Sequence, residues 1–518
     1  MAEWPPGFFV FGVRFRPVRP GETRILAGMN GRFEFDNHVF ERARLSRDAR
    51  FDGHFFIGVR TTGIYCRPIC PANLPRSENV IFFPTAAAAS EAGFRPCLRC
   101  RPECAPGTPA WAGTSTTVQR GLRLIAAGAL DDGSIEQLAE RLGITSRHLR
   151  RLFSRHVGAS PLVVSHTQRL HFAKRLIDQT ALPMKDICVA AGFGSIRRFN
   201  DAFRRTYGRP PRELRRNTQG TPASGGTRDL LLTYREPYDW ERMRDFFAAR
   251  AIPGVERVVD NRYERVVRFG ANHGLITVRD VGGALSLSAS GIATENLFPV
   301  VQRVRGLFDV DAPIHDIARV LGRDLRLKRW LAKNPGVRVP GAWDGWELAV
   351  RAILGQQVSV RAATTFAGRI AGKYGDRVTT GGPDGTPDRL FPEPGQLARA
   401  RLETTGVIRS RAQSIRDLAR AVDSGAVSFD AGQPVEEFRT RLMSIRGIGA
   451  WTADYVAMRV LKNPDAFPSA DLGLLRAFGA ALGTRLQGAE LEALAESWRP
   501  WRAYAALLAW NSDNQRGG

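Results

Sequence analysis

Six cysteines occur in 518 residues, and four of them fall in two close pairs, Cys66-x3-Cys70 and Cys97-x2-Cys100. Thiolates grouped in this way are the donor set of a closed tetrahedral zinc site. Four thiolates on one zinc ion carry a net charge of about −2, so the sulfurs stay deprotonated and electron-rich, the form that attacks an electrophile. The set therefore reads either as a staple that holds a fold or as a protected nucleophile. Cys104, four residues past Cys100, reads as incidental, and Cys188, on the apolar face of a helical segment, as a small buried residue. A second place for chemistry is Asp471, the one carboxylate in FPSADLGLLRAFG. Upstream of it, LMSIRGIGAWTADYVAMRVL reads as helix, tight turn, helix, with Gly447 and Gly449 in the turn. Backbone amides opening the second helix can hold a phosphate there.

Charge names the class of partner. Lysine and arginine outnumber aspartate and glutamate 75 to 51, a formal +24 that fits a polyanion. Between Thr116 and Arg216 there are 19 basic and 8 acidic residues, so this segment carries nearly half of the excess. Within it SIEQLAERLGITSRHLRRLF and MKDICVAAGFGSIRRFNDAF each read as a helix-turn-helix, with Gly143 or Gly192 in the turn, Ser146 capping the second helix of the first unit and Ser195 opening that of the second. The second helices expose Arg147, Arg150 and Arg151 in one unit and Arg197, Arg198 and Arg204 in the other. Such a face suits a major groove, with early residues at base edges and arginines on phosphates. Solvated basic hairpins are the plainer reading, and the duplication argues against it.

Two stretches rich in glycine, proline and small polar residues, at 105–115 and 217–227, read as linkers. A loop signal at 381–388 lies inside the last segment. No apolar run reaches the roughly 20 residues of a membrane span, GFFVFGV lies in the wrong order for a secretory signal, and six cysteines with four in metal spacing argue for a reducing compartment. A bacterial-type cytoplasmic, nucleoid-associated location is expected, with no membrane partner.

Three resemblances follow from these strings. GFGSIRRFNDAFRRTYGRPPRELR resembles the signature of AraC-family regulators. FFIGVRTTGIYCRPICPANLPRSENVIFFPTAAAASEAGFRPCLRC resembles the Ada-type DNA methyl-phosphotriester acceptor. That resemblance implies that Cys66 takes a methyl group from a phosphotriester, while Cys70, Cys97 and Cys100 complete the zinc site with it. Methylation would take the site from about −2 to −1, weaken its repulsion of phosphates and strengthen binding by neighbours such as Arg95 and Arg99.

The run from YREPYDWERMRDFFAARAIPGVE to RPWRAYAALLAW, with AWDGWELAVRAILGQQVS between, resembles the helix-hairpin-helix DNA glycosylases of the AlkA type, 3-methyladenine DNA glycosylase II. By that resemblance Asp471 drives release of alkylated purines such as 3-methyladenine and 7-methylguanine. Phe246, Trp451, Tyr455 and Trp510 form the base pocket, and Gln357 is the wedge that fills the gap in the stack. Trp451 stands where strand-cutting relatives carry a lysine, which implies a monofunctional hydrolase. No cysteines remain for the iron-sulfur cluster of some relatives, and no P-C-H-R motif predicts O6-methylguanine repair. Arg242, Gly473 and Asn511 fall where the AlkA pattern is large, which bears on substrate range.

The expected fold is multidomain and mostly α with α+β parts. It comprises an unassigned extension at 1–35, a small zinc-bound α/β domain at 36–104, and an AraC-type double helix-turn-helix at 116–216. After the linker at 217–227 follow an AlkA-like α/β subdomain at 228–315 and a helix-hairpin-helix all-α core at 316–513. The expected function joins phosphotriester sensing, transcription activation and base excision, with one Zn2+, double-stranded DNA and RNA polymerase as partners. The rival reading is a zinc-containing regulator whose glycosylase-like part only grips DNA.

Overall fold

A computed structural model describes residues 37–105, 116–131, 133–215, 228–270, 272–380, 382, 385–430 and 432–513, with two short strands near the start. The linker at 217–227 and nearly all of that at 105–115 lie outside the described residues. Met1–Asp36 forms one unit and Asn37–Gly518 another. In the first, β1 (Phe9–Val10) pairs antiparallel with β2 (Val13–Arg14).

The second unit begins with α1 (Asn37–Leu45) and a four-stranded sheet of β3 (Phe56–Val59), β4 (Ile64–Cys66), β5 (Val80–Phe83) and β6 (Arg95–Pro96), in the order β5-β3-β4-β6. Phe40, Phe55 and Phe82 pack together on one side of it. Helix α2 (Ala86–Glu91) starts where the Thr85 hydroxyl accepts the Ala88 N–H. Strands β4 and β6 run parallel with Tyr65 opposite Pro96, so the next residues, Cys66 and Cys97, emerge side by side. Register alone brings the two cysteine pairs together.

Seven helices follow: α3 (Thr116–Ala126), α4 (Ile135–Arg141), α5 (Ser146–Val157), α6 (Pro161–Gln179), α7 (Met184–Ala190), α8 (Ile196–Tyr207) and α9 (Pro211–Leu214). The turns expected at Gly143 and Gly192 are present, both at φ +71°, where a side chain would be strained. Ser195 caps α8 by accepting the Arg198 N–H. The cap of α5 is Thr145 and not Ser146: Thr145 keeps extended backbone and its hydroxyl accepts the His148 N–H, which leaves Ser146 as the first helical residue. Helix α5 buries Leu149, Phe153 and Val157, and α8 buries Phe199, Phe203 and Tyr207. That i, i+4, i+8 spacing turns Arg147, Arg150, Arg151, Arg197, Arg198 and Arg204 to solvent.

The last segment opens with an antiparallel sheet, β7-β11-β10-β9-β8, built from β7 (Arg228–Thr233), β8 (Glu256–Val259), β9 (Arg262–Phe269), β10 (Asn272–Asp280) and β11 (Ala284–Ser290). Helix α10 (Trp240–Ala248) falls between β7 and β8, and α11 (Leu297–Leu307) follows β11. An all-helical body completes the chain: α12 (Ile314–Leu321), α13 (Leu325–Lys333), α14 (Gly345–Leu354), α15 (Val360–Tyr374), α16 (Pro394–Leu397), α17 (Arg409–Asp423), α18 (Val435–Met443), α19 (Ala450–Arg459), α20 (Leu472–Leu482), α21 (Gly488–Ala495) and α22 (Arg502–Asp513). No described helix is long and apolar enough to cross a membrane.

The chain divides differently in sequence and in packing. Phe172, Leu176 and Ile177 of α6, with Phe199 and Phe203 of α8, share one apolar core with Leu230 and Leu232 of β7 and Phe298 of α11. The Phe172 and Phe298 rings lie 5.0 Å apart. Helix α6 also binds the cysteine-bearing module. The Tyr65 hydroxyl and His171 Nε2 are 2.9 Å apart, and Arg101 reaches Asp178 at 2.5 Å. The first helix-turn-helix packs round a second core, which also takes in Ala87 of α2, and touches the all-helical body through the Arg141–Asp430 ion pair and an Arg120 bond to the Gly432 carbonyl. Helix α6 is thus a spine to which three parts of the chain are fastened.

Candidate functional sites

The sulfurs of Cys66, Cys70, Cys97 and Cys100 all lie within 4.8 Å of one another. Four sulfurs bound to one zinc at about 2.3 Å sit about 3.8 Å apart, so the cluster fits a tetrahedral ion in donor type and in size. It is a zinc site. Cys104 stays outside it, as does Cys188, buried on α7.

The four sulfurs are not equivalent. Cys70, Cys97 and Cys100 are 8%, 7% and 6% exposed, whereas Cys66 is only half-buried. The backbone N–H of Arg67 donates to Cys100 Sγ at 3.3 Å. Such a bond draws charge from a thiolate. The side chain of Arg67, the residue after Cys66, is fixed by a buried ion pair with Asp52 and by the Cys100 carbonyl at 3.0 Å. Arg95 and Arg99 are exposed beside the cluster.

In the all-helical body, the turn between α18 and α19 holds Gly447 at φ +89°, and Gly449 caps α19 in extended backbone that any residue can adopt. Of the two glycines only Gly447 is required by conformation. The loop after α14 is tied to this hairpin: Gln356 Nε2 donates to the Gly447 carbonyl at 2.9 Å and to Thr452 Oγ1 at 3.2 Å, while Arg411 donates to the Gln356 carbonyl. Next to that anchor Gln357 is exposed, at φ +55°.

Asp471 caps α20, its Oδ1 accepting the Leu474 N–H at 2.9 Å. Trp451 Nε1 donates to Oδ2 and Trp510 Nε1 to Oδ1, each at 2.8 Å. A carboxylate offers about four acceptor directions. Three are filled, and the free one is on Oδ2. The Trp451 and Tyr455 rings stack at 5.3 Å with 6° between planes, and Trp510 meets Tyr455 edge-on at 6.4 Å. Three of the four expected pocket aromatics therefore gather round the carboxylate.

Phe246, half-buried on α10, joins them through a cation. Arg459 lies 4.9 Å from the Phe246 ring and 5.3 Å from that of Tyr455, and Arg250 covers Phe246 at 3.9 Å. Arg459 is held by the carbonyls of Pro340 and Gly341 and donates to the Tyr455 hydroxyl at 2.7 Å. Burial alone would raise the Tyr455 phenol; the Arg459 and Arg250 guanidiniums outweigh it and hold the pKa below its usual value. Neither arginine stands out in the sequence, although each follows an expected aromatic by four residues, Arg459 one turn along α19 and Arg250 just past the end of α10.

Of the three departures from the AlkA pattern, Arg242 pairs with Asp239 at 2.9 Å and Asn511 is half-buried near the end of α22. At Gly473 a Cβ would meet Asp471 Oδ1 at 3.0 Å and the Trp510 ring at 3.3 Å. A side chain there would crowd both partners of the Trp510–Asp471 bond. Leu472, the residue after Asp471, is 75% exposed, an apolar side chain that sequence reasoning did not single out.

Four family descriptions match in chain order: "Metal binding domain of Ada" over residues 40–103, "Helix-turn-helix domain" over 138–217, "AlkA N-terminal domain" over 229–344 and "HhH-GPD superfamily base excision DNA repair protein" over 350–503. A "Probable bifunctional transcriptional activator/DNA repair enzyme AlkA" of Mycobacterium tuberculosis is 40% identical over 91% of this chain and 95% of its own length. The chain belongs to this family of bifunctional activator and DNA repair enzymes. The family's two halves also match separately. "DNA-3-methyladenine glycosylase 2" of Escherichia coli is 34% identical over 54% of this chain and 96% of its own length. The E. coli "Bifunctional transcriptional activator/DNA repair enzyme Ada" is 38% identical over 26% of this chain and 36% of its own length. In fold, the C-terminal part is similar to a 3-methyladenine DNA glycosylase from Archaeoglobus fulgidus, with a TM-score of 0.50 and 20% identity over 56% of this chain and 99% of that one. A bifunctional Ada/AlkA-type protein thus combines a zinc-binding acceptor module, a DNA-binding helix-turn-helix module and a glycosylase in one chain.

Proposed function

We propose that Cys66 is the methyl acceptor and Asp471 the glycosylase carboxylate, so that one chain senses phosphotriesters and excises alkylated purines. The observation that carries the first assignment is unequal burial: of the four cysteines, Cys66 alone is not a buried residue. Bound zinc supplies thiolates at neutral pH. Cys66 sulfur attacks the methyl carbon of a methylphosphotriester, the C–O bond breaks, and its electron pair stays on phosphate as a diester anion. The product is a thioether, and the loss of one negative charge favours DNA held by Arg95 and Arg99. Ser146, Arg147, Arg150, Arg151, Ser195, Arg197 and Arg198 then read and hold a promoter duplex, and the bound protein recruits RNA polymerase.

The second assignment is carried by the indole clamp on Asp471. With three donors holding the carboxylate, the free direction on Oδ2 faces the sugar of a flipped nucleotide. Asp471 stabilises positive charge on that sugar as the glycosidic bond breaks and its electron pair leaves with 3-methyladenine or 7-methylguanine. Water completes the sugar, and Trp451 in place of a lysine leaves no nucleophile for strand cleavage. Phe246, Trp451, Tyr455 and Trp510 hold the base, Gln357 fills the gap, and Gly447 and Gly449 present amides to phosphate. The functional boundaries are 36–104, 116–216, 228–315 and 316–513, and the setting is cytoplasmic, at the nucleoid.

A purely DNA-gripping C-terminal part would use Asp471 only to cap α20 through Oδ1, and would have no need of the two indole donors that hold the carboxylate beside the aromatic rings. Mass spectrometry after incubation with methylated DNA tests both assignments: one methyl on Cys66 and free methylpurine in the supernatant are expected. Cys66→Ala should remove only the first signal and Asp471→Asn only the second. If neither substitution changes anything, both assignments are wrong.

A further inference from the structure

Gln357 stands out among the exposed residues of the glycosylase half, because backbone, anchoring and side-chain chemistry all single it out. Its φ of +55° puts a non-glycine residue in the left-handed region, a conformation that persists only where the surroundings fix it. They do so here. Gln356 is bonded to the Gly447 carbonyl and to Thr452 Oγ1, Arg411 holds the Gln356 carbonyl, and Ser359 caps α15 immediately downstream. Thr452 adjoins Trp451, which donates to Asp471. The loop is therefore fastened at the hairpin and beside the carboxylate, with Gln357 left pointing to solvent at its tip.

A filler of the gap left by a flipped base needs only bulk, which an aliphatic side chain supplies. Glutamine brings in addition a carbonyl acceptor and an NH2 donor. When a purine leaves the stack, the pyrimidine opposite keeps a Watson–Crick edge with unpaired donors and acceptors, and leaving such groups unmet inside a duplex is costly. An amide can meet either pyrimidine at two points. For cytosine, Oε1 accepts from N4 and Nε2 donates to N3; for thymine, Oε1 accepts from N3 and Nε2 donates to O2 or O4.

We infer that the Gln357 amide reads the base opposite the lesion, making it a specificity-determining residue that ties excision to a base-containing partner strand. The inference rests on the assignment of this body as a glycosylase with Gln357 at the gap. Its consequence is that excision depends on what the opposite strand presents, and the dependence resides in one amide.

The test uses the full-length protein and two duplexes, each carrying a single 7-methylguanine, opposite cytosine in one and opposite a tetrahydrofuran abasic analogue in the other. The abasic partner also lowers the cost of flipping, so the informative quantity is the cytosine-to-abasic ratio of kcat/KM in wild type divided by that ratio in Gln357→Leu. An excess of roughly tenfold is expected, the yield of one or two net hydrogen bonds. Gln357→Ala should lower the ratio as Leu does, while Gln357→Leu still releases the base from both duplexes. Equal ratios in wild type and Gln357→Leu overturn the inference while leaving the glycosylase assignment standing. No release by wild type from either duplex overturns that assignment, and this inference with it.

Discussion

Trp510 donates its indole N–H to Asp471 Oδ1 at 2.8 Å, and Gly473 leaves the space beside both groups uncrowded. The aromatic wall and the carboxylate are therefore one unit. Trp510→Phe keeps a ring but removes the donor, so the carboxylate should lose its orientation while the base still finds a stacking surface. Single-turnover release of 7-methylguanine is expected to fall about 10- to 100-fold, the yield of one hydrogen bond to a charged group, with little change in KM. Trp451→Phe should act alike through Oδ2, and the double variant should lose less than the product of the two effects, because both donors serve one group. An unchanged rate constant in Trp510→Phe would mean that the clamp is packing and nothing more.

The contact between zinc module and spine rests on a buried ionic cluster. Asp178 of α6, its side chain 1% exposed, pairs with Lys174 and with Arg101, the residue after the ligand Cys100. Glu103, its side chain 2% exposed, faces the same two cations, 3.4 Å from Arg101 and 3.7 Å from Lys174, so removing Asp178 leaves two cations to one carboxylate. Asp178→Ala is expected to destabilise the protein by about 3–5 kcal/mol, seen as a lower denaturant midpoint, while the zinc content stays at one per chain. A loss below about 1 kcal/mol would place the pair among weak surface bridges and remove α6 from its role as spine.

What can be read from the chain without coordinates follows how locally each function is encoded. Cys66, Cys70, Cys97 and Cys100 are legible because a metal fixes both residue type and spacing, and Asp471 because a carboxylate in an apolar run needs a reason. Arg250 and Arg459 are not, since an arginine in a chain of formal charge +24 carries no signal until a ring is seen beneath it. The cap at Thr145 is missed because Thr145 and Ser146 are both good caps and only backbone conformation chooses between them. The shared core of α6 and β7 is hidden for a different reason: periodicity shows that a face is apolar but not which partner covers it.

His54 gives the fold a pH signature. It is half-buried opposite α12, with Asp316 at 3.9 Å and no hydrogen-bond partner for Nε2. Burial first, then the charges of Arg235 and His315, lower its pKa from 6.5 to about 3. Below 6.5 the unfolded chain binds a proton that the folded one refuses, so stability is fully present above that value and is lost as pH falls toward 3. His54→Gln should flatten this part of the profile. The check is the drop in Tm between neutral buffer and pH near 5, expected to be smaller in the variant; equal drops would locate the acid sensitivity elsewhere.

Gly447 separates backbone geometry from side-chain chemistry at the hairpin. At φ +89° an added Cβ is strained, and it would meet Ser414 Oγ at 2.4 Å, the hydroxyl that donates to the Arg446 carbonyl at 2.7 Å. Gly447→Ala must therefore either push Ser414 off that carbonyl or rotate the turn, and both move the amides at the start of α19. At Gly449, by contrast, the backbone is extended and nothing lies within 4 Å of an added Cβ. If the hairpin holds a phosphate through those amides, Gly447→Ala should raise KM for excision about tenfold, the effect of a strain of 1–2 kcal/mol. It should also reduce the salt dependence of kcat/KM by roughly one phosphate contact. Gly449→Ala should stay near wild type. Equal losses in the two variants would mean that α19 does not present its amides to DNA, because only one of the two positions has a geometric reason to fail.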